Sequence, residues 1–220
     1  ATTEIYTLSL HDALPISAPV ALDDAGLKRI RDAFVAAARR ADRLGIDALE
    51  LHGAHGYLLH QFLSPIANKR TDRYGGSLEN RMRFPLEVFD AVRAAFPDHK
   101  PIGMRVSATD WVDGAWDLAQ TIEFAKELKK RGVDWMDVSS GGVSPLQKIP
   151  LGPGYQVPAA QAVKEATGVT TMAVGLITEA KQAEEIVASG KADMVALARG
   201  MLYDPRWGWH AAAELGGEVS

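Results

Sequence analysis

The sequence predicts an α/β chain, an incomplete (β/α)8 TIM barrel holding about the last five βα units. Three observations support this. Segments with apolar residues every three to four positions alternate with short continuous apolar runs, the pattern of helices packed on a parallel sheet. Gly45-Ile46-Asp47, Gly132-Val133-Asp134 and Gly190-Lys191-Ala192-Asp193 each join a helix end to a strand start, a faint internal repeat. About five strands can be counted, whereas a closed barrel of this kind needs eight and about 250 residues.

The elements follow in order. Leu27, Ile30, Phe34, Ala38 and Ala41 mark one helix face, and Gly45 is placed to end that helix in a left-handed cap. Residues 46–51 read as a strand. A long loop then carries two histidines, a tyrosine and the Gly75-Gly76 turn. Ser77 is a suitable N-cap for a helix reaching Ala95. Residues 101–107 form the next strand, and Leu118, Ile122, Ala125 and Leu128 trace a helix ended by Gly132. A strand over 133–139, a Gly/Pro-rich loop to Gly154, a helix over 157–167 and a strand over 169–174 follow. Thr178 is a candidate cap for the next helix, residues 193–198 form the last strand, and a terminal helix starts near Asp204-Pro205.

Composition narrows the function. The chain has 220 residues, 47% hydrophobic and 24% charged, with net charge -4. That is an ordinary globular balance without the basic surface expected of a nucleic-acid partner. It contains no cysteine, which excludes disulfides, Cys-ligated zinc and iron–sulfur clusters within it. No apolar run is long enough to span a bilayer, and without a secretory pattern a cytoplasmic location is expected. Residues 1–17 read differently from the rest: they lack an initiator Met and resemble the translation of a sequencing adapter. The expectation is that 1–17 are not native and that 18–220 are the C-terminal part of one barrel domain.

The chemistry is concentrated after the first predicted strand, in Leu49-Glu50-Leu51-His52-Gly53-Ala54-His55-Gly56-Tyr57. The loops after barrel strands form the catalytic face. Two imidazoles can donate hydrogen bonds to one ligand oxygen, and a tyrosine can supply a proton. The spacing alone also fits a zinc pair, with His60, Asp72 or Glu50 as further ligands, or plain loop packing. Tyr57 can equally pack with its hydroxyl in water. Arg105 lies between Met104 and Val106 in an apolar strand. A buried guanidinium needs a partner, either a ligand or a carboxylate such as Glu50 or Asp137. Gly175 and the Ala198-Arg199-Gly200 stretch end the last two strands, where this architecture commonly cradles a phosphate.

The His/Tyr stretch continues through Gln61-Phe62-Leu63-Ser64-Pro65 to Arg70-Thr71-Asp72-Arg73-Tyr74-Gly75-Gly76-Ser77-Leu78-Glu79-Asn80-Arg81. As a whole it resembles the signature of the Old Yellow Enzyme family, the FMN-dependent ene-reductases, and its bacterial branch in particular. The resemblance runs from about Ala18 to Ala213. It implies FMN as cofactor, NADPH or NADH as reductant, and an α,β-unsaturated carbonyl or nitro compound as substrate. It further implies that His52 and His55 bind the activating oxygen and Tyr57 protonates the alkene carbon. Arg105 would lie against the flavin, with Ala198, Arg199 and Gly175 about its phosphate. The string from Arg70 to Arg81 reads as a brace for the catalytic loop, and Ser139-Ser140-Gly141-Gly142 and Gly152-Pro153-Gly154-Tyr155 as the rim above the flavin.

Departures from the family matter too. Its flavin contacts on the first strands have no counterpart here, nor does the short tail whose arginine reaches a neighbouring protomer. The full-length form is expected to be a homo-oligomer, and this polypeptide by itself to bind FMN poorly and turn over little. Competing readings are a dienoyl-CoA reductase-like flavin enzyme, which the lack of cysteine disfavours, a non-catalytic remnant, and a flavin enzyme acting on tRNA, which the net charge disfavours.

Overall fold

The computed structural model describes residues 20–217. The reading of residues 1–17 as foreign lies outside them. Eight helices and five strands occur in the order α1 (Asp24–Arg43), β1 (Leu49–Gly53), α2 (Leu58–Leu63), α3 (Leu78–Arg93), β2 (Ile102–Ser107), α4 (Leu118–Lys130), β3 (Trp135–Ser139), α5 (Val157–Thr167), β4 (Thr170–Val174), α6 (Ala180–Ala188), β5 (Met194–Ala196), α7 (Arg199–Tyr203) and α8 (Trp207–Glu214) among the described residues. The strands form one parallel sheet in sequence order. β1 and β5 have no outer neighbours among the described residues, so the sheet does not close.

Parallel pairing sorts each strand into two faces. Leu51, Met104, Val106, Met136, Val138 and Ala173 are buried beneath the helices. They pack with Phe89, Val92, Phe124, Leu128 and Val163, each large side chain contributing about 1.5–3 kcal/mol of burial free energy. The opposite, concave face carries polar groups in register: His52 pairs with Arg105, Arg105 with Asp137, and Asp137 with Met172. Along the row below, Trp135 Nε1 donates to Glu50 Oε2 at 2.9 Å.

Two junctions follow the predicted chemistry: Ser77 caps α3, its side chain accepting from a first-turn N–H, and Gly45 follows α1 at φ 76. Asp23, not singled out in the sequence, caps α1 in the same way. Four expectations need correction. β1 starts at Leu49, because the N–H of Ile46 turns back to the Ala41 carbonyl and that of Leu49 is the first to reach Pro101. Thr178 does not cap α6: Glu179 holds that position without a side-chain bond, and the Thr178 N–H donates to Gln182 Oε1. The loop after β1 contains the short helix α2, and α7 follows β5 where no helix was expected.

Candidate active site

His52 ends the concave row of β1, and the chain turns immediately after it. The rings of His55 and Tyr57 both lie 5.3 Å from that of His52, centroid to centroid. The three predicted residues therefore stand as one row, with His52 in the middle. Tyr57 is 55% exposed and His55 mostly covered.

The turn is held from several sides. His55 adopts φ 58, an unusual backbone state for a residue with a side chain. Its N–H donates to Ser107 Oγ at 3.0 Å, and its Nε2 lies 2.7 Å from Ser139 Oγ. Ser107 Oγ donates in turn to the Gly141 carbonyl at 2.8 Å. Gly56 and Gly142 let the two loops touch backbone to backbone. A Cβ on Gly142 would sit 2.5 Å from His55 Cα, and one on Gly56 would collide with the Gly142 carbonyl.

Beneath the turn lies a buried polar cluster that no sequence motif marks. The Gly56 N–H donates to His60 Nδ1 at 2.9 Å, so the proton of the neutral ring is on Nε2. That atom is 2.9 Å from Asp110 Oδ1, off the line of a well-aligned hydrogen bond. Asp110 Oδ2 accepts from Ser64 Oγ at 2.6 Å and from the Trp116 N–H at 3.1 Å. The His60 and Asp110 side chains are both fully buried. α2 begins just after Gly56, with Tyr57 at its N-cap, and its first turn brings His60 back to the Gly56 N–H, where a long loop was expected.

The alternative zinc ligands are engaged elsewhere. His60 faces Asp110, Asp72 pairs with Arg70, and Glu50 accepts from Trp135. No three His, Cys, Asp or Glu side chains gather as a metal site among the described residues. The segment from Arg70 to Arg81 holds α2 and the turn ahead of α3. Arg81 donates to the carbonyls of Leu63 and Gly76 and to Gln120 Oε1. Asn68 Nδ2 bridges the Phe62 and Tyr74 carbonyls at 2.7 Å each.

Arg105 has one of the carboxylate partners its sequence context allowed, and it borders a cleft as well. Its Nε is 3.2 Å from Asp137 Oδ2, and its side chain also lines a cleft. Burial raises the Asp137 carboxyl to about 7 against the opposing pull of Arg105, with Glu50 adding to the rise. Burial lowers His55 to about 4, helped by the Arg105 charge; burial and Arg105 also lower His52, with the Glu50 charge opposing them. His55 is therefore neutral at neutral pH.

The cleft has a volume of about 510 Å³ and opens at the C-terminal ends of β2 to β5. It brings together Arg105, Gly175, Ala198 and Arg199, the four residues singled out for a cofactor. Ser139 also lines it, so the cleft reaches the His55 ring through one hydroxyl. Tyr155, from the predicted rim, and Gln156 beside it also line the cleft. Gln156 is buried, accepts from Ser140 Oγ, and donates to the Val174 carbonyl at 2.9 Å. A glutamine two residues past a Gly-Pro-Gly turn carries no signal of its own in sequence.

Residues 11–217 match the NADH:flavin oxidoreductase / NADH oxidase family. An NADPH dehydrogenase of Geobacillus sp. strain WCH70 is 46% identical over 212 residues, covering 94% of this chain and 62% of the relative. A morphinone reductase structure superposes with TM-score 0.75 at 31% identity, over 94% of this chain and 54% of that one. A 2-naphthoyl-CoA reductase in complex with 2-naphthoyl-CoA superposes with TM-score 0.83 at 28% identity, over 90% of this chain and 30% of that one. The chain thus spans less than two thirds of the length of these relatives.

Proposed function

The chain belongs to the NADH:flavin oxidoreductase / NADH oxidase family, of the Old Yellow Enzyme type, and from that premise we propose that its site reduces the activated C=C bond of an α,β-unsaturated carbonyl or nitro compound. The reading rests chiefly on one observation: the cleft that gathers Arg105, Gly175, Ala198 and Arg199 adjoins the His52–His55–Tyr57 row.

The residues present suit FMN. Arg105 turns its Nε to Asp137 while its side chain lines the cleft, so the rest of the guanidinium can face an anionic ring edge. Gly175 sits at φ 121, and a Cβ there would lie 2.7 Å from Gln156 Nε2. The glycine thus lets Gln156 and Tyr155 pack against the backbone of the cleft wall. Arg199 adds a second guanidinium on the same cleft, suited to a phosphate. When bound, the flavin supplies hydride taken from NAD(P)H.

The protein's own residues do the rest. Neutral His52 and His55 each hold one N–H and donate to the activating oxygen, stabilising the negative charge that develops there as the β-carbon is reduced. Tyr57 Oη gives its proton to the α-carbon; an ordinary phenol, at about 10, keeps that proton at neutral pH. The exposed His52 and Tyr57 beside half-buried His55 leave the row reachable from solvent for a small alkene.

We further propose that residues 18–220 are the rear part of one FMN-binding barrel, and that this polypeptide alone turns over little. The open outer edges of β1 and β5 support this. The test is titration with FMN followed by flavin fluorescence, then NADPH oxidation dependent on cyclohex-2-enone. The expected result is weak FMN binding and little turnover by this chain. Enone reduction should appear when the first strands are supplied on a longer chain. No enone reduction by that longer chain, with FMN bound, would overturn the functional reading.

One observation favours a second reading: the superposition on a reductase in complex with a CoA thioester. A dienoyl-CoA reductase-like enzyme would prefer an enoyl-CoA thioester over the free enone in the same assay.

A further inference from the structure

A neutral imidazole carries one proton, and only the nitrogen holding it can donate to a ligand oxygen. Which nitrogen holds it on His55 depends on Ser139 Oγ, 2.7 Å from Nε2. The Ser139 hydroxyl has two possible acceptors, His55 Nε2 and Gln156 Oε1, the latter at 3.3 Å. Hydroxyl hydrogen bonds to oxygen span about 2.5–3.0 Å, and N–H···O bonds cluster near 2.9–3.0 Å. The long Gln156 contact is a poor acceptor for this hydroxyl, and the short His55 contact suits a hydroxyl donor better than a ring N–H donor. Gln156 already receives the Ser140 hydroxyl on that oxygen, and its amide is oriented by its bond to the Val174 carbonyl.

We propose that Ser139 is a positioning residue for His55: its hydroxyl donates to Nε2 and so keeps the ring proton on Nδ1, where it can be donated to a ligand oxygen. The proposal rests on the reading of His55 as an oxygen-binding residue. Buried Gln156 and the Ser107 bond to the His55 backbone make the arrangement rigid. The substrate then meets a ring whose donor nitrogen is chosen in advance, rather than one that must exchange tautomers on binding.

The test is nitrogen NMR of the chain labelled with 15N-histidine, at neutral pH and without flavin. In the wild type the His55 spectrum should show a protonated Nδ1 and a bare Nε2. Ser139→Ala should move the proton to Nε2, and Ser139→Thr, which keeps the hydroxyl, should restore Nδ1. A protonated Nε2 in the wild type would overturn the proposal, as would an unchanged tautomer in Ser139→Ala. If Ser139→Ala fails to fold, the wild-type spectrum decides alone. The outcome is independent of turnover: a protonated Nδ1 together with no enone reduction by the longer chain would sink the functional reading and leave the positioning role standing.

Discussion

At the scale of single residues, His55 and Asp137 act oppositely on stability. His55 falls from about 6.5 to about 4 on folding, so its contribution is fully present above pH 6.5 and is lost as pH falls toward 4. Asp137 rises from 3.8 to about 7, so its contribution is present below pH 3.8 and is lost as pH rises through 7. A tenfold change in a group's proton affinity corresponds to about 1.4 kcal/mol. Between pH 4.5 and 6.5 the two therefore offset one another in the wild type. Asp137→Asn should make stability rise with pH across that window, and His55→Gln should make it fall. Urea unfolding midpoints at both pH values check this; parallel pH profiles for all three proteins would contradict it. Tyr57→Phe removes the proposed proton donor, and in the longer chain it should cut enone reduction by about 10²–10⁴-fold. FMN reduction by NADPH, which needs no such donor, should continue at its wild-type rate. Equal loss in both half-reactions would assign Tyr57 to binding instead.

At the scale of elements, the catalytic turn depends on α2 and on the loop after β3. His60→Leu would leave Asp110 fully buried without its ring partner and free the Gly56 N–H. A loss of about 3–5 kcal/mol is expected, as for other buried pairs deprived of one member. A cost under about 0.5 kcal/mol, within the range of a neutral surface change, would show that the cluster carries no weight. Gly142→Ala places a Cβ 2.5 Å from His55 Cα at a backbone φ of 95. It should destabilise by about 1–3 kcal/mol and perturb the His55 ring resonances, which the same NMR labelling would detect. The polar signature from Arg70 to Arg81 belongs at this scale too. Its carbonyl-bridging Arg81 and the neighbouring Asn68 bind α2 to α3 rather than facing the cleft.

At the scale of the whole molecule, the five parallel strands among the described residues have two edges without a neighbour there, and the row of His52, Arg105 and Asp137 faces no further strand among them. Unpaired parallel edges invite association, so sedimentation of this chain should depend on protein concentration. A concentration-independent monomer that binds FMN stoichiometrically would argue that the open sheet suffices. Periodicity and junction glycines made the βα order, the caps at Ser77 and Gly45 and the parallel sheet legible in advance. Those features are local: a cap, a turn and an apolar period are each set by neighbours in the chain. The His/Tyr stretch and its brace were legible only through the resemblance of residues 49–81 to a family signature, since their spacing alone left zinc binding and plain packing open. The His60–Asp110 cluster, Gln156 in the cleft lining and the Ser139 contact to His55 join residues 17 to 84 positions apart. Such contacts exist only once β1, β2 and β3 lie side by side in register. Residue identity and local spacing thus set which side chains are able to do the chemistry. Which atoms hold those side chains in place was settled by the assembled sheet, because strand pairing brings distant hydroxyls and carboxylates within hydrogen-bonding range of the turn.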